Sequence, residues 1–113
     1  MENVKKKSAE LAIKAVRLHK HLSAAKKETV MSEEILRCGA GAGAELAKME
    51  FAMGNNDRMA KLYKALQNCA EAKYWLELLY STEYITEFEY NDTLKNCDEL
   101  GKMIAALIKS LKA

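Results

Sequence analysis

Apolar residues recur along this chain at intervals of three and four, a spacing that predicts four amphipathic helices. The first runs from about Val4 to Lys26, with Leu11, Ala15, Leu18, Leu22 and Ala25 on one face. The second runs from about Val30 or Met31 to Met53, its stripe formed by Ile35, Gly39, Ala42, Leu46, Met49 and Met53. Gly54-Asn55-Asn56 then supplies a C-terminal stop and an Asn N-cap for the next helix. A third helix covers about Asn56 to Tyr80 through Met59, Leu62, Leu66, Cys69, Leu76 and Leu79. The sequence from Thr86 to Glu89 has the form of a capping box. It opens a fourth helix that continues to about Leu111, with Tyr90, Leu94, Cys97, Gly101, Ile104, Ile108 and Leu111 in register.

Short connections make sequential helices antiparallel. The expected fold class is therefore all-α, an up-down-up-down antiparallel four-helix bundle forming one domain over residues 1–113. Composition agrees, because proline is absent and helix-forming residues dominate. Three of the five glycines nevertheless fall inside the second helix, as Gly39, Gly41 and Gly43. Each costs about 1 kcal/mol relative to alanine in a helix interior. A phosphate-cradling loop would need a preceding strand and a following Lys-Ser/Thr, and the sequence has neither.

The run reads instead as a bare helix face, with Gly39 and Gly43 as the packing positions and substitution of Gly41 by Ala expected to be mild or stabilising. Its expected complement is the aromatic stretch from Tyr74 to Tyr80 on the third helix. Tyr74 and Trp75 lie about 100° apart around that helix, so both cannot point at the bundle centre. Either one of them lies at an edge or subunit contact, or both fill a groove within one chain.

Net charge is only +2, but it is unevenly distributed. Residues 1–30 carry eight Lys/Arg against three Asp/Glu, and the cations are Lys5, Lys6, Lys7, Lys14, Arg17, Lys20, Lys26 and Lys27. Such a helix can neutralise phosphates without reading sequence, and a solvated face is the plainer reading of the same charges. No apolar core follows the opening lysines and no stretch is long enough to span a bilayer, so the expected location is cytoplasmic, with no membrane partner.

Three widely spaced cysteines, Cys38, Cys69 and Cys97, occupy apolar-stripe positions and read as buried thiols. The histidines, His19 and His21, do not follow Glu at the spacing of a di-iron bundle. No metal, cofactor or small-molecule substrate is expected. Arg17 and His21 resemble the Arg…His pair of helical-bundle ribonucleases of the HEPN group, at a shorter spacing. An RNA-cleaving role for them is the remote alternative to a non-enzymatic protein.

Two segments carry a family resemblance. The stretch from Lys26 to Ala44 resembles the second-helix signature of the small bacterial four-helix-bundle proteins encoded in 23S rRNA intervening sequences. The stretch from Ala65 to Tyr80 resembles their third-helix signature. The most specific points are Leu36-Arg37, Gly39, Gly43, Glu71 and Tyr74-Trp75. Where the family has Ser-Gly-Thr-Ser-Ile-Gly-Ala-Asn, this chain departs from it from Cys38 to Glu45, and Gln67-Asn68 replace a usual Lys-Glu.

That family is similar to the accessory variability protein of diversity-generating retroelements. The resemblance implies a homo-oligomer, a pentamer, that binds RNA or DNA and a reverse transcriptase through basic surfaces. It also implies helix-packing or assembly roles for Arg37, Gly39, Gly43, Tyr74 and Trp75. The alternative is a protein-interaction module with no nucleic-acid role.

Overall fold

A computed structural model describes residues 1–113. Four helices follow in order: α1 (Glu2–Ala25), α2 (Val30–Met49), α3 (Asn55–Ser81) and α4 (Glu87–Lys112). They form an antiparallel bundle of 45 × 21 × 20 Å with no strand. Each helix packs on its two sequence or ring neighbours, and the diagonal pairs do not approach each other. The α1–α4 seam, which closes the ring between the first and last elements, is the loosest of the four.

The core follows the three-four spacing. Leu11, Ala15, Leu18 and Leu22 of α1 are buried in one core with Ile35, Ala42 and Leu46 of α2 and Leu62, Leu76 and Leu79 of α3. On α4 the buried face runs through Thr93, Asn96, Cys97, Leu100, Ile104 and Ile108. Leu100, fully buried, thus takes a place that the sequence pattern gives to its neighbour Gly101. Ala25 is exposed, because the chain leaves the bundle at the α1 C-terminus.

Each connection has its own chemistry. Thr86 and Glu89 form the expected capping box, with Glu89 N donating to Thr86 Oγ1 at 3.1 Å and Thr86 N to Glu89 Oε1 at 2.8 Å. The start of α2 is capped by a residue that no pattern singles out. The buried Glu28 accepts from Met31 N at 3.0 Å and from Ser32 N at 2.8 Å, satisfying two free helix-start donors.

The α2–α3 connection corrects two expectations. Helix α2 ends at Met49, and Met53 is 96% exposed in the turn, outside the stripe assigned to it. Bonds from Glu50, Phe51 and Ala52 back three residues tighten the last turn and carry the chain away from the core. Gly54, at φ +139°, takes the N-cap position where Asn was expected. A side chain there would be strained, so glycine serves the bend, and Asp57 accepts from Met53 N at 3.0 Å instead.

The glycine run faces a different partner from the expected one. A Cβ on Gly39 would lie 2.8 Å from the Cβ of Ala15, and one on Gly43 would lie 3.4 Å from Ser8 Oγ. Both neighbours belong to α1, so the bare face admits a small-residue helix and not the aromatic stretch of α3. Only Gly41 looks toward α3, where its Cβ would come 3.0 Å from Asn68 Nδ2.

Candidate nucleic-acid interface

Helix α1 buries one side and leaves a basic side outward. The structure divides its cations into two sets. Lys5 is ion-paired with Glu50 at the end of α2. Lys7 bridges Glu10 at 3.3 Å and Glu99 of α4 at 3.0 Å. Lys14 bridges Asp92 Oδ2 of α4 at 3.2 Å and donates to the Asp92 carbonyl at 3.4 Å. Hydrogen bonds donated to Glu99 and Glu10 raise the Lys7 pKa, and the bond accepted from Lys7 depresses that of Glu99. These three lysines flank the outward face and are taken up by neighbouring helices.

Lys6, Arg17, Lys20, Lys26 and Lys27 are exposed and have no carboxylate within ion-pair distance. At 3.6 residues per turn, Lys6, Arg17 and Lys20 fall within roughly 60° of one another and span about 21 Å along the axis. They make one cationic strip, interrupted by the half-exposed Ile13. Lys26 and Lys27 lie beyond the end of α1, in the turn before α2, where Lys27 adopts φ 57°.

The loose α1–α4 seam opens beside this strip. A cleft of about 290 Å³ is lined by Lys14, Arg17 and His21 from α1 and by Phe88, Glu89 and Asp92 from α4. Arg17 and His21 therefore share one surface, as their i,i+4 spacing requires. His21 makes no side-chain hydrogen bond, whereas His19 is bonded to Ser32 Oγ at 2.9 Å. Nothing in the cleft fixes the tautomer or orientation of His21, which acid–base chemistry needs. Phe88 is 77% exposed, and sequence reading missed it. The available signal was an apolar residue inside a capping box but off the α4 stripe.

The residues carrying the family resemblance converge elsewhere, on the α2–α3 seam. Arg37 pairs with Glu34 at 3.2 Å and with Glu71, whose Oε2 also accepts from Trp75 Nε1 at 2.9 Å. Trp75 packs on the core edge, and Tyr74 meets it edge-on with ring centroids 5.0 Å apart. Tyr74 itself is 56% exposed, so of the two alternatives the rings divide between an edge and a groove. The hydrogen bond from Trp75, followed by that from Arg37, lowers the Glu71 pKa, and the bonds Arg37 donates to Glu34 and Glu71 raise its own. This cluster orders the seam and leaves Tyr74 as its exposed tip.

No group of three or more His, Cys, Asp or Glu is placed to hold a metal ion. Burial pushes the thiol of Cys38 up to about 11 and those of Cys69 and Cys97 up to about 12, so all three remain protonated. No helix is long and apolar enough to cross a membrane.

A family model described as "23S rRNA-intervening sequence protein" matches residues 2–106. Among solved structures, a Bacteroides thetaiotaomicron VPI-5482 protein of unknown function, from the S23 ribosomal protein family, superposes with a TM-score of 0.92. It is 42% identical, and the match covers 94% of this chain and 98% of that one. A search of curated proteins finds no match.

Proposed function

The chain belongs to the 23S rRNA-intervening sequence protein family, and from that premise and the surface of α1 we propose that it binds nucleic acid without sequence specificity and without catalysis. The observation that carries the reading is the division of the basic residues. Neighbouring carboxylates neutralise Lys5, Lys7 and Lys14, while Lys6, Arg17 and Lys20 stand unpaired in one outward strip. A strip of that length spans several phosphates of an extended strand, and it presents point charges with no fixed base-reading geometry.

Homo-oligomerisation, which the family resemblance implies, repeats the strip around an assembly, where identical patches add their fields. In this reading the protein is an accessory factor, and a reverse transcriptase is the partner implied by the retroelement relatives. The Arg37–Glu71–Trp75 cluster holds the bundle in shape, and Tyr74 is its point of contact with other chains. The test is retention of labelled oligonucleotide at low ionic strength by the parent protein and by a Lys6→Gln/Arg17→Gln/Lys20→Gln variant. The parent retains it and the variant does not. Equal retention by both overturns the assignment of the strip.

A further inference from the structure

An exposed phenyl ring on a highly charged surface needs a reason, and Phe88 has none in the packing of α4. The helix start is already secured by the Thr86–Glu89 capping box. The apolar residues that anchor it are Ile85, 5% exposed, and the half-buried Tyr90, which stacks on Tyr80 with centroids 4.6 Å apart. These occupy the positions before the cap and four after it, where a hydrophobic staple forms. Phe88 lies between them and points away, 77% exposed.

Its surroundings are built unequally. Phe88 forms a wall between the α1–α4 cleft of about 290 Å³ and a second depression of about 430 Å³ lined by Glu87, Asn91, Asp92 and Lys95. A planar group can therefore approach it from either side. Across the first cleft stand Arg17 and His21, neither in an ion pair, and Lys14, held by Asp92. One wall is cationic, and the other offers an aromatic face with the carboxylates of Glu89 and Asp92.

A nucleotide unit has the matching polarity. Its phosphate is anionic, its base has a π-face, and the edges of the bases carry N–H donors that carboxylates accept. In a duplex the base faces are already stacked, so only an unpaired base can use the ring. We propose that the α1–α4 cleft binds single-stranded nucleic acid, with a base stacked on Phe88 and the adjoining phosphates on Arg17 and the α1 strip. The proposal rests on the nucleic-acid reading above and adds a strand preference, a stacking residue and a direction of approach.

The test is fluorescence anisotropy of a labelled mixed-sequence oligonucleotide, single-stranded and as its duplex, with the parent protein and with Phe88→Ala, Phe88→Trp and Arg17→Gln. Phe88→Ala weakens single-strand binding about tenfold, leaves duplex binding unchanged and keeps the parent salt slope. Phe88→Trp binds at least as well as the parent, and its added indole emission is quenched by the single strand. Arg17→Gln weakens both strands and lowers the slope. Thermal melts of the Phe88 variants match the parent, because the ring buries little, so a loss of binding is not a loss of fold. If Phe88→Ala binds single strands like the parent while Arg17→Gln does not, the cleft assignment is wrong and the strip reading stands. If neither form of nucleic acid binds at low salt, both are wrong.

Discussion

Helix α1 faces two neighbours through two different kinds of seam. Toward α2 it presents Ala15 and Ser8 to Gly39 and Gly43, so closely that a single added carbon on Gly39 would collide with Ala15. Toward α4 it presents lysines to carboxylates and leaves open clefts. At Gly39 the contact made through missing side chains is tight and intolerant of change, whereas the same seam opens into a depression of about 360 Å³ beside Ser8 and Gly43. Contact made through long charged side chains is loose, adaptable and accessible to a ligand. One helix thus meets its two neighbours through a steric contact at Gly39 on one flank and through ion pairs to Glu99 and Asp92 on the other.

The largest effect that can break this comparison is at Gly39. A Cβ there meets another Cβ at 2.8 Å, and neither can rotate away, so the helices must part. Gly39→Leu should destabilise by about 3 kcal/mol or more, at or above the upper end of ordinary overpacking. Thermal melts with sizing chromatography read it. An unchanged melting temperature would remove the tight seam from the account.

A smaller effect is expected on the α2–α3 seam, and it depends on pH. Glu71 has a folded-state pKa below its ordinary 4.5. Its bonds to Trp75 and Arg37 therefore contribute stability that is complete above that value and is lost as pH falls through the depressed one. Melting temperature of the parent should decline more steeply on acidification than that of Glu71→Gln, and the two curves should converge in acid. Because Arg37 and Glu71 are both substantially exposed, the gap near neutrality should be small. Parallel curves throughout would show that the cluster is not ionically held.

Within the glycine run, Gly43 and Gly41 should respond far less than Gly39. Gly43→Ala meets Ser8 only at van der Waals distance, so helix propensity should prevail and raise stability by up to about 1 kcal/mol. Gly41→Ala displaces the amide end of Asn68, which offsets the same gain and leaves the melting temperature near that of the parent. A ranking with Gly41 as the most sensitive of the three would reverse the geometry described.

Much of this fold was legible in the spacing of apolar residues. The capping box at Thr86, the buried stripes of α1 and α3 and the antiparallel order all follow from local pattern and short connections. The partner of the glycine run was not legible. A bare face admits either a ring or another bare face, and only the packing of α1 on α2 decides between them. The α2 boundary was misread for a related reason. Met53 keeps the spacing of the stripe, but the turn bonds after Met49 have already left the helix axis.

The candidate site was half legible. Eight cations could be counted in the first thirty residues, but their pairing with Glu50, Glu99 and Asp92 depends on which helices close the ring. Phe88 stands out in the sequence only as an apolar residue inside the capping box and off the α4 stripe. Its exposure becomes informative only beside Arg17 and His21, 67 or more residues earlier in the chain.

The salt dependence of single-strand affinity distinguishes a phosphate-binding strip from a merely solvated one. Anisotropy titrations between about 50 and about 200 mM salt should give a log–log slope near −2 for the parent, as expected for roughly three phosphate contacts on a single strand. The Lys6→Gln/Arg17→Gln/Lys20→Gln variant should give a slope close to zero. A parent slope near zero, or a variant slope equal to the parent's, would contradict the assignment of the unpaired α1 strip as the nucleic-acid surface.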